Sequence, residues 1–401
     1  MEETWRWFGP DDCVRLEQIR QAGATGIVSA LDHVATGERW PAADIQERKR
    51  LIEDAGLSWS VVESVPVSND IKLRTGDFRR HVDNYKQTLR NLGAAGIGCV
   101  CYNFMPVVDW TRTSLDYPLP NKGQALRFEM ADFAAYDMFV LERDGARADY
   151  DDNVVNSAAE RFEAMSPQAR SALEQNIIAG LPGGEGSYDR DGIRAAIEAF
   201  RGLGADSYRD KLFRFLSEVI PVAEEAGVAM AIHPDDPPFS LFGLPRIVST
   251  ADDARQLLAA VPSPSNGLTM CAGSYGARDD NNLVEMIREF HDRIHFVHLR
   301  NVKRETDGSF YESEHLEGDN DIVGIVSALL DEEERRQQQS PGRRSIPMRP
   351  DHGHTIGDDA NDAAVRPGYS FAGRMKALAE LRGVMHALKA TRQRQQALSM
   401  E

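Results

Sequence analysis

The segment VAMAIHPDDPP, residues 228–238, is a short apolar run that ends in a histidine and a proline-rich turn. A segment of helical period, residues 208–226, precedes it. A buried run of this length after a helical segment is typical of one β/α unit with a parallel strand. The same arrangement recurs along the chain, so this segment is one of a series.

Eight such apolar runs alternate with helical segments, and this order predicts a (β/α)₈ TIM barrel. An open doubly wound sheet is the alternative, but it would more often have a G-x-G-x-x-G turn after its first strand, where this chain has FGPDDC. The predicted strands are 5–9, 26–31, 58–65, 96–104, 228–234, 267–272, 294–300 and 346–350. The predicted helices are 11–22, 44–55, 78–95, 208–226, 250–261, 281–292, 322–337 and 371–391.

A long insertion, residues 105–205, separates the fourth strand from the helix before the fifth. We expect it to form an inserted subdomain or lid within a single domain of residues 1–401, because long structureless loops are rare in compact domains. One helix is predicted at 158–178, followed by the glycine-rich turn GLPGGEG at 180–186.

The composition argues against several classes of partner. The chain has 46 lysines and arginines against 63 aspartates and glutamates, a net charge of −17, which disfavours nucleic acid and anionic membranes. No apolar stretch approaches the length of a membrane-spanning helix, and the N-terminus lacks a basic leader segment. The four cysteines do not form a secreted disulfide pattern. A cytoplasmic protein with free thiols is predicted.

Four potential metal ligands end the last four apolar runs: His233, Cys271, His298 and Asp351. In a closed barrel these positions meet at the C-terminal mouth, where TIM-barrel active sites lie. Imidazole, thiolate and carboxylate groups bind first-row divalent ions, and this donor set leaves Zn²⁺, Fe²⁺ and Mn²⁺ open. Each residue alone would more often be an ordinary strand-end polar group. The four in phase predict a metal site.

The turn RPDHGH, residues 349–354, adds groups beside the fourth ligand. Arg349 is predicted to bind a substrate carboxylate, because a guanidinium holds it in a bidentate fork. His352 is a candidate general acid or base at neutral pH. Asp351 is assigned to the catalytic group as well as to the metal ligands.

Other polar residues follow the predicted strands, and each also has an ordinary loop role. Asp235 and Asp236 could orient His233 through its second nitrogen or cap a turn. Three further residues are candidate substrate contacts and one is a candidate catalytic phenol: Arg300, Asn103, His315 and Tyr369.

Seven strings occur in order through the chain: WRWFG, AIHPDDPP, GLPRIVST, TMCAGSYG, FVHLRNV, HLEGD and MRPDHGH. Together they resemble the D-mannonate dehydratase family over nearly the whole chain. The resemblance implies a xylose-isomerase-like barrel, one Mn²⁺ or Fe²⁺ ion per subunit, and a homo-oligomer, dimeric or higher. The family's metal ligands correspond to the four strand-end residues above, and its proposed acid/base and substrate contacts to His352, Tyr369 and Arg349.

The reaction that the resemblance implies is a hydro-lyase step of hexuronate catabolism, which converts D-mannonate to 2-dehydro-3-deoxy-D-gluconate and water. The proton at C2 is weakly acidic beside the carboxylate, and its removal builds negative charge that a metal ion and Arg349 would stabilise. His352 and Tyr369 are the candidates for the base at C2 and the acid at the C3 hydroxyl. The residues leave open which does which.

Two other functions fit the same residues. A metal-dependent sugar or sugar-acid isomerase or epimerase would use the same barrel without losing water. A non-catalytic protein that binds a metal or a sugar acid is the other alternative, but a purely structural metal site would not require an adjacent arginine and histidine. A barrel nuclease is disfavoured by the acidic charge.

Overall fold

Eight parallel strands close into a barrel, and a second sheet of four strands lies outside it. The protein is described by a computed structural model over residues 1–178, 188–342 and 344–399. Over those ranges the strands are β1 (Glu2–Arg6), β2 (Gly26–Ser29), β3 (Ser58–Glu63), β4 (Cys99–Tyr102), β5 (Ser114–Pro118), β6 (Gln124–Phe128), β7 (Ala229–Ile232), β8 (Asn266–Cys271), β9 (Ile294–His298), β10 (Val302–Arg304), β11 (Phe310–Glu312) and β12 (Pro347–Arg349).

The barrel confirms the predicted fold class. Its strand order is β1-β12-β9-β8-β7-β4-β3-β2, so neighbours along the chain are neighbours in space and the last strand closes on the first. The first strand was predicted three residues too late. Thr4, Trp5 and Arg6 pair in register with the first three residues of β2, and the chain turns at Gly9, whose φ of +104° ends the extended run. Arg6 therefore stands at the exit of β1.

The helices cover the outside of the barrel and form much of the insertion. Over the described residues they are α1 (Leu16–Gln21), α2 (Ala42–Asp54), α3 (Asn69–Leu73), α4 (Phe78–Ala94), α5 (Met130–Ala135), α6 (Asp152–Ala164), α7 (Pro167–Ile178), α8 (Arg190–Phe200), α9 (Ala205–Glu225), α10 (Ala251–Ala260), α11 (Ala272–Tyr275), α12 (Leu283–Phe290), α13 (Ile322–Gln339) and α14 (Phe371–Ser399). A π-helix (Tyr136–Val140) and 3₁₀ turns (Ala146–Asp149, His291–Arg293 and Gly357–Asn361) complete the helical structure. No helix in these ranges is long and apolar enough to cross a bilayer.

The single helix predicted at 158–178 is wrong, because two helices occupy this part of the insertion. The first, α6, ends at Ala164, and the second begins at Pro167. Proline suits the first turn of a helix, and it disfavours a helical conformation in the residue before it, here Ser166. The predicted glycine-rich turn at 180–186 lies outside the described residues, and the lid role of 105–205 stays a prediction.

The second sheet joins the insertion to the loop after β9, which the sequence pattern did not predict. Its strands are antiparallel and run in the order β10-β11-β6-β5. Phe310 of β11 pairs with Phe128 of β6, and their rings stack with centroids 5.9 Å apart. The pairing brings the end of β11, Glu312, into contact with residues at the mouth of the barrel.

Small and apolar side chains fill the interior below the mouth. A separate buried cluster contains Val28, Val61, Cys99, Cys101, Ala231 and Phe296, each from a different barrel strand except for the two cysteines of β4. Burial raises the pKa of Cys99 to about 12, so its thiol stays neutral. The ring of Phe296 lies edge-on beneath His298, with centroids 4.6 Å apart, and so forms the floor of the site.

Candidate metal centre and active site

Three strand-end side chains converge at the mouth of the barrel. His233 directly follows β7, Cys271 ends β8 and His298 ends β9, so adjacent parallel strands deliver all three to one level. One potential ligand atom from each lies within 4.8 Å of the other two. Tetrahedral ligands at ordinary metal–nitrogen and metal–sulfur distances would stand about 3.3 to 3.8 Å apart. The donor set and its spacing therefore fit a divalent ion.

His233 is held with one nitrogen toward this cluster. Its Nδ1 lies 2.7 Å from the carbonyl oxygen of Pro234, which can only accept, so Nδ1 carries the hydrogen. The other nitrogen, Nε2, lies 3.3 Å from Nδ1 of His298. Burial lowers the pKa of His233 against the opposing effect of nearby carboxylates. The ring is thus kept neutral, which is the form that binds metals.

Glu63, at the end of β3, contacts the ring nitrogen of His298 that points away from His233. Its carboxylate lies 3.3 Å from Nε2 of His298, which leaves Nδ1 of that ring directed at His233. Burial alone would raise the pKa of Glu63, but Arg349 and His298 outweigh it and hold the pKa well below its ordinary value. The sequence reasoning missed this residue, although it ends β3 as His298 ends β9.

Asp351 lies at the edge of the cluster. Its Oδ2 is 3.9 Å from Sγ of Cys271 and 3.9 Å from Nδ1 of His298. Its carboxylate also pairs with Arg349 at 2.7 Å and with Arg300 at 3.1 Å. Its φ of +73° is uncommon for a residue other than glycine and turns the chain sharply after Pro350. The placement is compatible with a fourth ligand, and that assignment stays a prediction.

His352 forms a pair with Glu312 of the second sheet. Its Nδ1 lies 2.8 Å from the Glu312 carboxylate, which accepts the hydrogen, and its Nε2 lies 3.8 Å from Oδ1 of Asp351. The rings of Trp110 and Tyr369 pack edge-on against the imidazole, with centroids 5.9 and 5.1 Å away. Burial would raise the pKa of Glu312, but His352 and Arg300 bring it down to about 2. The pair thus resembles the carboxylate–histidine arrangement of many acid–base sites.

A buried network of ion pairs links these elements. Arg112 of the insertion, with 0% of its surface exposed, contacts Asp236 at 2.7 Å and Glu312 at 2.8 Å. Arg300 contacts the same Asp236 at 2.6 Å. Neither aspartate contacts the His233 ring as the sequence reasoning allowed. Asp236 binds arginines, and Asp235 accepts hydrogen bonds from the backbone of Val248 and the hydroxyl of Ser249.

The cavity above the cluster has a volume of about 600 Å³, part of it open to solvent. Most of the predicted substrate and acid/base residues line it: Asn103, Arg300, Arg349, Asp351, His352 and Tyr369. His315 is not among the lining residues, because its Nε2 contacts the carbonyl oxygen of Pro350 at 2.7 Å and so supports the turn before Asp351. This placement does not support its predicted substrate contact. Arg349 is in the site, but Glu63 and Asp351 pair with its charge.

Comparison with known proteins shows that the chain is similar to proteins named mannonate dehydratase. The family model described as D-mannonate dehydratase (UxuA) matches residues 1–395. The chain is 65% identical to a mannonate dehydratase of Saccharophagus degradans, over 99% of this chain and 100% of that protein. It is 54% identical to mannonate dehydratase 2 of Agrobacterium fabrum, over 99% and 100%. A crystal structure of mannonate dehydratase from Streptococcus suis is similar with a TM-score of 0.77 and 34% identity, covering 98% of this chain and 94% of that one.

Proposed function

This chain belongs to the D-mannonate dehydratase family, and we propose that it removes water from D-mannonate at the mouth of the barrel, with a divalent ion bound there. The observation that carries the proposal is the convergence of His233, Cys271 and His298 beside a cavity that His352 and Tyr369 also line. A metal-ligand cluster next to two proton-transfer groups is the arrangement that a hydro-lyase acting on a sugar acid requires.

We propose Mn²⁺ or Fe²⁺ as the ion, one per subunit, with Asp351 as its fourth protein ligand. When bound, the ion would polarise substrate oxygens and stabilise the negative charge that builds up when the C2 proton leaves. The carboxylate of Asp351 supports a preference for these ions, since a purely nitrogen and sulfur set would favour Zn²⁺. Glu63 would hold His298 in its ligand orientation, as a carboxylate behind a ligand histidine does in many metal sites.

We assign the two proton transfers to His352 and Tyr369. His352 is held by Glu312 at Nδ1, so Nε2 is the atom that can take up or deliver a proton in the cavity. Burial raises the pKa of Tyr369, which keeps its phenol protonated and able to donate. One group removes the proton from C2, the other protonates the C3 hydroxyl as it leaves as water, and the resulting enol tautomerises to the 2-keto acid.

The reaction is tested by anaerobic incubation of the protein with D-mannonate and each of Mn²⁺, Fe²⁺ and Zn²⁺. We expect a 2-keto acid lighter than the substrate by one water, formed fastest with Mn²⁺ or Fe²⁺. An isomer of unchanged mass would instead establish the isomerase or epimerase function. Binding without any conversion under all three ions would favour a non-catalytic sugar-acid protein.

The metal site is tested by replacing Cys271 with alanine. We expect bound metal and turnover to be lost together, because the three-ligand cluster loses its thiolate. Cys13 is exposed and far along the chain from the cluster, so Cys13→Ala is the matched control and should keep both. Full turnover by a metal-free Cys271→Ala protein would rule out the metal-dependent mechanism.

We also propose a cytoplasmic homo-oligomer, supported by the family membership and by the acidic composition. Sedimentation of the purified protein measures the oligomeric state directly. A monomer at micromolar concentration would contradict the proposal.

A further inference from the structure

Arg6 is a buried cation at the exit of the first barrel strand. Only 5% of its surface is exposed, and its guanidinium lines the cavity at the exit of β1. Its side-chain hydrogen bond runs from Nη1 to the carbonyl oxygen of Trp7 at 3.4 Å. Across the described ranges of the chain, no carboxylate forms an ion pair with it. A buried charge normally has a partner, so an unpaired one marks a place where an anion can bind.

The other two arginines of the cavity differ from Arg6 in this respect. Arg349 pairs with Glu63 at 3.1 Å and with Asp351 at 2.7 Å. Arg300 pairs with Asp236 at 2.6 Å and with Asp351 at 3.1 Å. Their charges are compensated within the protein. Among the arginines that line the cavity in the described part of the chain, Arg6 is therefore the one that forms no ion pair.

Neighbouring groups hold the Arg6 side chain and its backbone in place. Its guanidinium carbon lies 4.5 Å from the centroid of the Phe8 ring, which contacts Tyr369 edge-on at 4.7 Å. The backbone carbonyl of Arg6 accepts a hydrogen bond from Arg374 at 2.7 Å. Stacking on an aromatic ring leaves the hydrogen-bonding edge of a guanidinium free. Arg6 is thus positioned in advance for a planar, bidentate partner.

Arg6 also lies close enough to the reacting groups to affect them. Burial raises the pKa of Tyr369, and the charges of Arg349 and Arg6 oppose that rise. Burial also acts to raise the pKa of Glu63, but Arg349, His298 and Arg6 lower it. Glu63 contacts the ligand His298 at 3.3 Å, and Tyr369 packs against His352 with ring centroids 5.1 Å apart. If Arg6 held the carboxylate of a sugar acid, the neighbouring carbons of that molecule would extend toward the metal cluster and His352.

We infer that Arg6 is the residue that binds the carboxylate of the sugar-acid substrate, in place of the sequence-based assignment to Arg349. The inference rests on the proposed function for the identity of the acid, since any aldonate would offer the same planar anion. It makes the first strand the part of the barrel that distinguishes a sugar acid from a neutral sugar. An uncharged sugar in the same cavity would leave Arg6 without a partner.

The test compares a charged and a neutral probe by calorimetry on the metal-loaded protein. The probes are 3-deoxy-D-mannonate, which has no C3 hydroxyl to lose, and its primary amide. For Arg6→Gln we expect binding of the acid to weaken about 10- to 100-fold and binding of the amide to change less than about 3-fold. Arg6→Lys should fall between, because it keeps the charge and loses the fork.

Arg366 supplies the matched control, because its guanidinium also lies over the Phe8 ring, at 4.4 Å, but it is exposed. Arg366→Gln should bind both probes as the wild type does. Metal content and thermal unfolding of each variant establish that it is folded and loaded. Equal weakening of acid and amide in Arg6→Gln, or no weakening, overturns the inference.

The same measurements separate this inference from the proposed function. A wild type that binds the acid through Arg6 but does not dehydrate D-mannonate would contradict only the proposed reaction. A wild type that dehydrates D-mannonate while Arg6→Gln keeps its preference for the acid would contradict only the role of Arg6. A wild type that neither binds the acid probe nor dehydrates D-mannonate would contradict both.

Discussion

The two histidines central to the site have the same support, a carboxylate at the ring nitrogen that faces away from the reacting groups. Glu63 contacts Nε2 of His298, and Glu312 contacts Nδ1 of His352. The Glu312 contact fixes the tautomer of His352, whereas Nε2 of His298 is held by Glu63 at 3.3 Å together with Arg349, whose Nε donates to it at 3.1 Å. Neither glutamate is adjacent in sequence to the histidine it supports.

Replacing Glu312 with glutamine tests this support at His352. The amide oxygen can still accept from Nδ1, but the negative charge that stabilises a protonated ring is lost. We expect kcat for D-mannonate to fall about 10- to 100-fold, with KM and metal content little changed. Steady-state kinetics with metal analysis measures all three quantities.

Glu314→Gln is the control for this substitution, since Glu314 lies two residues further on and its carboxylate faces Lys376 and His354 instead. Its kcat should stay within about twofold of wild type. Glu312→Gln with unchanged kcat would show that the carboxylate does not assist His352. A parallel loss of bound metal would show that its effect passes through the metal cluster instead.

The second sheet is the element that unites the insertion with the barrel. Its strands β5 and β6 come from the insertion, and β10 and β11 come from the loop after β9. Arg112 connects this sheet to the mouth, packed between the rings of Trp110 and Phe310 with its guanidinium carbon 4.8 and 4.9 Å from their centroids. Removing this arginine leaves two buried carboxylates with fewer partners.

We therefore expect Arg112→Leu to lower the free energy of unfolding by about 3 kcal/mol, as breaking a buried ion pair does. Urea unfolding followed by circular dichroism measures the change. The control is Arg190→Gln, which breaks an insertion pair with Glu174 that is partly exposed, and it should cost less than about 1 kcal/mol. Equal losses in the two variants would show that the buried network adds no stability of its own.

The barrel was predictable because each of its strands leaves a local mark on the sequence. A short apolar run before a polar strand end located His233, Cys271 and His298 without knowledge of the neighbouring strands. Arg6 was missed because shifting the first strand by three residues places it inside the run instead of at the exit. The interaction of Glu312 with His352 was not predictable in this way, since it depends on pairing between distant segments that no local pattern records.

At the scale of the whole molecule, the site concentrates carboxylates whose pKa values lie below those of the unfolded chain. Burial would raise the pKa values of these carboxylates, but neighbouring arginines and histidines outweigh it. The pKa is lowered in four of them: Asp236, Asp351, Glu63 and Glu312. Such groups stabilise the fold fully above their unfolded pKa and lose that contribution as the pH falls through the folded pKa. Burial raises the pKa of Asp235, so this one carboxylate makes the opposite contribution to the pH dependence of stability.

The metal-free protein should accordingly lose stability as the pH falls below about 4.5, with the loss continuing toward about 2 for Glu312. His315 adds to the loss from about pH 6.5 downward, because burial lowers its pKa and only the unfolded chain takes up the proton readily. Urea unfolding from neutral pH to about pH 3 measures the slope. Glu312→Gln should have a shallower slope below pH 4.5, and an identical slope would contradict the assignment.

The second sheet also governs the order in which the site can assemble. The contact between Arg112 and Glu312 closes a loop of 200 residues along the chain, whereas the ligand cluster is brought together by neighbouring strands of successive β/α units. Long loops are costly to close and tend to form late in folding. A newly made chain would thus bring His233 and His298 together, 65 residues apart, before Arg112 of the insertion reaches Glu312, and we expect a folding intermediate in which the ligands have met and the insertion has not yet docked.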